Sequence, residues 1–157
     1  MSLAPSRLRQ RIDRAVQAIS IDDVNDVERF EFAFAPSYER AGKPFGITPS
    51  SAWVAVDDVV LDARFGHWRV STPLANVTEV EVTGPYRFFK TAGPARLAIT
   101  DRGITFATNG DRGVRIGFRT PVPGLDRLGL LRHPELTVTV ADIDRLVDVI
   151  TARMRRA

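Results

Sequence analysis

The sequence predicts an α+β fold: a strongly bent antiparallel sheet or split barrel capped by a C-terminal helix, with an extra N-terminal helix. Two observations carry that reading. Residues 52–140 read as short runs of alternating apolar and polar residues separated by turn residues, the pattern of strands half-buried in a sandwich or barrel. Residues 142–156 then switch to helical spacing.

At 157 residues and 44% hydrophobic content, the chain has a one-domain length and enough apolar material for a core. It contains no cysteine, which excludes disulfides and thiolate metal sites. No apolar run approaches the roughly 18 residues of a membrane-spanning helix, and the opening residues lack the apolar region of a signal peptide. The expected compartment is the cytoplasm. The sequence pI is 9.9, yet the formal net charge is only +3. Lysine occurs only at Lys43 and Lys90, so the basic residues are almost all arginine, and a small arginine excess raises the pI by itself. Arg and Asp/Glu are mixed along the chain rather than gathered in a stripe, which argues against nucleic acid as a partner.

Taken in order, residues 6–19 place Leu8, Ile12, Ala15, Val16 and Ile19 at helical spacing, with arginines mostly off that stripe. Such a helix packs on the sheet, packs on another subunit or lies on a membrane surface. Phe30, Phe32 and Phe34 alternate with Arg29 and Glu31, the period of a half-buried strand, and Pro36 ends it. Residues 37–51, with Gly42, Pro44, Gly46 and Pro49, read as a loop or linker. Residues 1–51 are thus an N-terminal helix, strand and linker, and residues 52–157 are the main body with its helix, together in one compact domain.

In the main body, strands are expected at 52–56, 59–64, 67–71, 77–83, 96–100, 104–108, 113–119 and 136–140. Asp57-Asp58 and Asp101-Arg102-Gly103 supply tight turns, and 84–94 and 121–134 read as long loops. The inward faces include Val54, Val56, Leu61, Val80, Val82, Leu97, Ile99, Ile104, Phe106, Ile116, Phe118, Val138 and Val140. Asp142 is a natural N-cap for a helix whose apolar stripe is Ile143, Leu146, Val147, Ile150 and Met154.

Three strings add a resemblance: FGHWRVSTPLANV at 65–77, TGPYRF at 83–88 and LTVTVAD at 136–142. With the layout of residues 52–156, they make the chain resemble bacterial pleckstrin-homology-like domains and an uncharacterised actinobacterial protein family. Ser71-Thr72-Pro73-Leu74 followed by Val77 looks like a strand entry common in such sheets. The resemblance covers about two thirds of the chain and implies binding or scaffolding rather than catalysis.

Chemistry-bearing residues are sparse. His67 and His133 have no partner pattern for catalysis, so no catalytic residue is assigned. The carboxylates Asp22, Asp23 and Asp26, and Asp57, Asp58 and Asp62, lack metal-ligand spacing, so no metal or cofactor is expected. Asn76-Val77-Thr78 matches a glycosylation pattern that has no use in the cytoplasm. The binding candidates are Tyr86, Arg87, Phe88, Phe89 and Lys90 in one loop, and Arg115 and Arg119 on one strand face. Aromatic rings beside cations suit a protein or membrane-surface contact, although the same rings can fold back over the open end of the sheet. Arg115 and Arg119 could bind an anion, or be ordinary solvated surface. If residues 52–56 are the first strand, the first hairpin turns on Asp57-Asp58, whose carboxylates would repel a headgroup phosphate; if the Phe30 strand is first, the loop with Arg40 and Lys43 takes that place and the objection weakens. The leading functional expectation is a non-enzymatic binding or scaffolding module acting through protein contacts. The second is a peripheral membrane or anionic-lipid adaptor. The oligomeric state is not readable from the sequence.

Overall fold

Two sheets face each other across the core, and a C-terminal helix closes one side between them. The computed structural model describes residues 26–84, 95–97, 103–126 and 128–157, with the backbone alone at 95–97. The first sheet is antiparallel and contains β1 (Glu28–Glu31), β2 (Ala52–Val56), β3 (Val60–Phe65) and β4 (Trp68–Pro73), in that order. The second contains β5 (Val77–Thr83), β6 (Ala95–Leu97), β7 (Ile104–Phe106), β8 (Gly113–Pro123) and β9 (Arg132–Val138), in the order β5-β8-β9-β7-β6. The architecture is α+β, as expected. The sheets are not closed into a barrel, and the second is mixed, because β7 runs parallel to β9 with Ile104 opposite Leu136.

The sheets touch at two corners. Phe32 bridges Val140, the Ala33 N–H donates to the Thr139 carbonyl, and the Ala141 N–H donates to the Glu31 carbonyl. The chain running out of β1 therefore pairs with the chain running out of β9. At the other corner a 3-10 turn, Leu74–Asn76, leads from β4 into β5. There the Asn76 amide donates to Thr72 Oγ1 and to the Thr120 carbonyl, and its oxygen accepts from the Thr120 N–H.

Strand alternation fills the space between the sheets. Phe30, Phe32, Val54, Val56, Leu61, Phe65, Ile104, Phe106, Ile116, Phe118, Val138 and Val140 are buried. Val80 is half-buried, and Val82 departs from the expected inward face at 40% exposed. β5 is the edge strand of its sheet, and its burial falls off after Val77. The side chains of Leu97 and Ile99 lie outside the described residues, as does the expected N-terminal helix.

The expected loop at 37–51 is largely helical: α1 (Pro36–Gly42) is followed by a 3-10 turn, Lys43–Phe45. Pro36 and Pro44 each sit at a helix start, where the missing N–H costs nothing, so prolines that read as breaks act as starts. The expected loop at 121–134 is also shorter. β8 continues to Pro123 and β9 begins at Arg132, because Val122 pairs with His133 and Pro123 with Arg132 beyond an irregularity in the ladder.

The last element, α2 (Ile143–Met154), packs on β5 and β8. Asp142 caps it, with Oδ1 accepting from the Arg145 N–H at 3.1 Å. Leu146 and Ile150 are fully buried, while Ile143, Val147 and Met154 pack at the margin of the core. Arg153, in the last turn of the helix, is only 6% exposed. Its guanidinium donates to the carbonyls of Val56 and Asp26 and lies 3.5 Å from Glu28 Oε1, tying the helix to the first sheet. Among the described residues, no helix is long and apolar enough to cross a membrane.

Candidate functional site

The two ends of β3 carry opposite chemistry. At its start, Asp57 and Asp58 form the turn after β2, with Asp57 Oδ1 accepting from the N–H groups of Val59 and Val60. Asp26, Glu28 and Asp58 surround the Arg153 guanidinium there. At its finish, Gly66 and His67 form the two-residue turn into β4, with Phe65 opposite Trp68. Gly66 adopts φ 63°, and a Cβ on it would meet Ile47 Cγ1 at 2.8 Å, so the turn requires glycine. The turn thereby presses against the 3-10 segment, and the Phe45 ring stacks on Trp68 with centroids 6.3 Å apart.

Facing Trp68 is the loop between β8 and β9. An open cleft of about 690 Å³ separates them, lined by His67, Trp68, Arg69 and Ser71 on one wall and by Pro123, Leu125, Asp126 and Leu128 on the other. Asp126 shapes this loop. Its Oδ2 accepts from the Leu130 N–H at 2.7 Å, its Oδ1 from the Leu131 N–H at 3.0 Å, and its carbonyl from the Gly129 N–H. These bonds, the one from Leu130 foremost, hold the Asp126 carboxyl below the ordinary carboxylate range. Gly129 completes the turn at φ 66°. The loop therefore projects its leucines outward: Leu128 is 81% and Leu130 78% exposed, with Leu131 also exposed.

Cations surround this apolar end. Lys43, Arg64, Arg69 and Arg132 are all exposed. Arg69 forms a two-pronged pair with Asp62, with Nε 2.8 Å from Oδ1, and the hydrogen bond and charge of Asp62 raise its pKa.

Of the residues singled out in the sequence, Tyr86, Arg87, Phe88, Phe89 and Lys90 lie outside the described residues. Arg115 stands on β8 among three carboxylates, with Glu81 at 2.7 Å and Glu79 and Glu135 at 3.1 Å each. Partial burial opposes its charge, but Glu135, Glu81 and Glu79 together outweigh that and raise its pKa. Its guanidinium is thus already engaged by anions of the chain itself. Arg119 is exposed farther along β8. His133 is buried in β9, and His67 is exposed in the β3–β4 turn. Among the described residues, no group of three or more His, Asp or Glu side chains could hold a metal ion.

The leucine loop, Trp68 and Phe45 were not among the sequence-derived candidates. The available signal was the apolar run Leu128, Leu130 and Leu131 inside a segment bounded by Pro123 and Pro134, where solvated turn residues are the norm. No family model matches the chain, and no curated protein and no solved structure is significantly similar to it.

Proposed function

We propose that this chain is a non-enzymatic binding module of pleckstrin-like design, acting in the cytoplasm, whose working surface is the leucine-bearing end between β4 and the β8–β9 loop. The pleckstrin-like reading is supported by element order: a series of strands in two facing sheets, then a C-terminal helix packed along one open side. One observation carries the binding reading. Leu128 and Leu130 stay almost fully exposed on a loop that Asp126 pins in that shape. Keeping two leucines in water on one pinned turn forgoes roughly 1.5 to 3 kcal/mol each relative to burial, which supports a surface that meets a partner.

Protein contact is supported by the cleft beside the loop, where Trp68 and Leu125 offer apolar walls to an incoming side chain. An anionic membrane surface is the second reading, favoured by the exposed cations around the same leucines. Proximity labelling in the native host tests the shared premise. A Leu128→Asp/Leu130→Asp double variant should lose the neighbours, protein or membrane, that the wild type labels. An unchanged set of neighbours would mean that the working surface lies elsewhere.

A further inference from the structure

We infer that the partner of this end is an anionic bilayer surface, into whose interface Leu128 and Leu130 insert. The inference rests on the reading of that end as the working surface and goes on to name what it meets.

Shape is the first ground. Among the described residues, the two most exposed large apolar side chains sit on a turn pinned by Asp126, beside the Phe45–Trp68 stack. A projecting apolar tip needs no matching groove in order to enter a lipid interface.

Charge is the second. Among the described residues, the cations on the segments flanking the tip are Lys43, Arg64, Arg69 and Arg132, against the carboxylates Asp62 and Asp126. Asp62 is held by Arg69, and Asp126 is turned onto the backbone of its own loop. At the opposite end of β3, Asp26, Glu28 and Asp58 face the buried Arg153, and Arg145 pairs with Glu28 as well. Among the described residues, the leucine end therefore carries more cations than carboxylates, whereas at the other end arginines match the carboxylates. A planar anionic surface meets all of these cations at once while the leucines enter it, whereas a small peptide in the cleft reaches only those on its walls. The contact is with surface charge and the acyl boundary, and it uses no headgroup pocket.

The chain carries its own reporter. It has two tryptophans, so Trp53→Phe leaves Trp68, beside the tip, as the single tryptophan, excited apart from the tyrosines at long wavelength. This protein is mixed with vesicles of phosphatidylcholine alone or with about one third phosphatidylglycerol, and binding is read by flotation and by Trp68 emission. The expected result is binding and a blue shift with the anionic vesicles only. Raising salt from about 0.1 M to about 1 M should weaken binding roughly tenfold or more, as the screening length falls from ~10 Å to ~3 Å. Leu128→Asp/Leu130→Asp should also weaken it about tenfold or more, with an unchanged thermal melt. Leu128→Ser/Leu130→Ser replaces that variant should its melt change. Absence of binding to anionic vesicles, or binding that survives loss of both leucines, overturns the inference. If vesicles fail while proximity labelling still depends on the leucines, the partner is a protein and the binding-module proposal stands. If neither depends on them, both fall.

Discussion

The ring of Phe106 stacks on that of Phe65, with centroids 4.9 Å apart and planes within 8° of parallel. One ring comes from each sheet, and Phe32 packs against Phe65 at 5.3 Å, so three aromatics bind the two layers at the centre of the core. Both Phe65 and Phe106 are fully buried. Phe106→Ala should therefore cost about 3 to 5 kcal/mol, combining lost transfer energy with the cavity left between the sheets. Urea unfolding of the full chain measures this. A loss below about 1 kcal/mol would mean that the sheets do not depend on this contact.

Arg153 links the helix to the β2–β3 end of the first sheet through two backbone carbonyls. Arg153→Ala would leave the Val56 carbonyl without that donor and Glu28 without that cation, at an expected cost of about 2 to 4 kcal/mol. Arg153→Lys should recover only part, because one ammonium cannot reproduce a fork that reaches both carbonyls. Comparing the two variants by denaturant midpoint checks the point; equal stability of lysine and arginine here would contradict it.

Asp126 gives the leucine loop a pH dependence of defined sign. Its pKa is lowered, so the contribution of its carboxylate to loop order is fully present above the ordinary Asp value near 4 and is lost as pH falls through the folded value. The amide resonances of Leu130 and Leu131 should thus stay constant from about pH 7 to about pH 5 and move only in stronger acid. Asp126→Ala should shift both at neutral pH while leaving the core resonances in place. A Leu130 resonance that is indifferent to both changes would mean that the carboxylate does not hold the turn.

Local pattern made much of this fold legible. The bounds 52–56 and 77–83 agree with β2 and β5, and Asp142 caps the helix as its position predicts. What escaped was information held between distant segments. Alternation in Ile104 to Phe106 marks a strand but cannot say that β9 lies beside it in parallel. Prolines at 36 and 44 read as breaks because residue type carries no record of whether a helix follows or precedes. Arg153 resembled any arginine at a helix end until the first sheet supplied its acceptors. Arg115 was readable as surface-facing, yet its three carboxylates come from β5 and β9 and meet only after pairing. The leucine loop was hidden by its own punctuation, since a segment rich in Gly and Pro is expected to be solvated and its apolar residues were passed over.

The Asn76 amide both donates to and accepts from Thr120, as one peptide unit does with another across a ladder. A side chain thus serves as a rung, at the corner where the chain passes from one sheet to the other. Main-chain rungs are indifferent to residue type, but this one is written in a single codon. The hydrogen bonding at this corner is to that extent heritable at one position, open to drift in a way that the ladders on either side of it are not. The same engagement occupies the nitrogen to which a sugar would have to be joined, so the glycosylation pattern here spells out a joint in the framework rather than an attachment point.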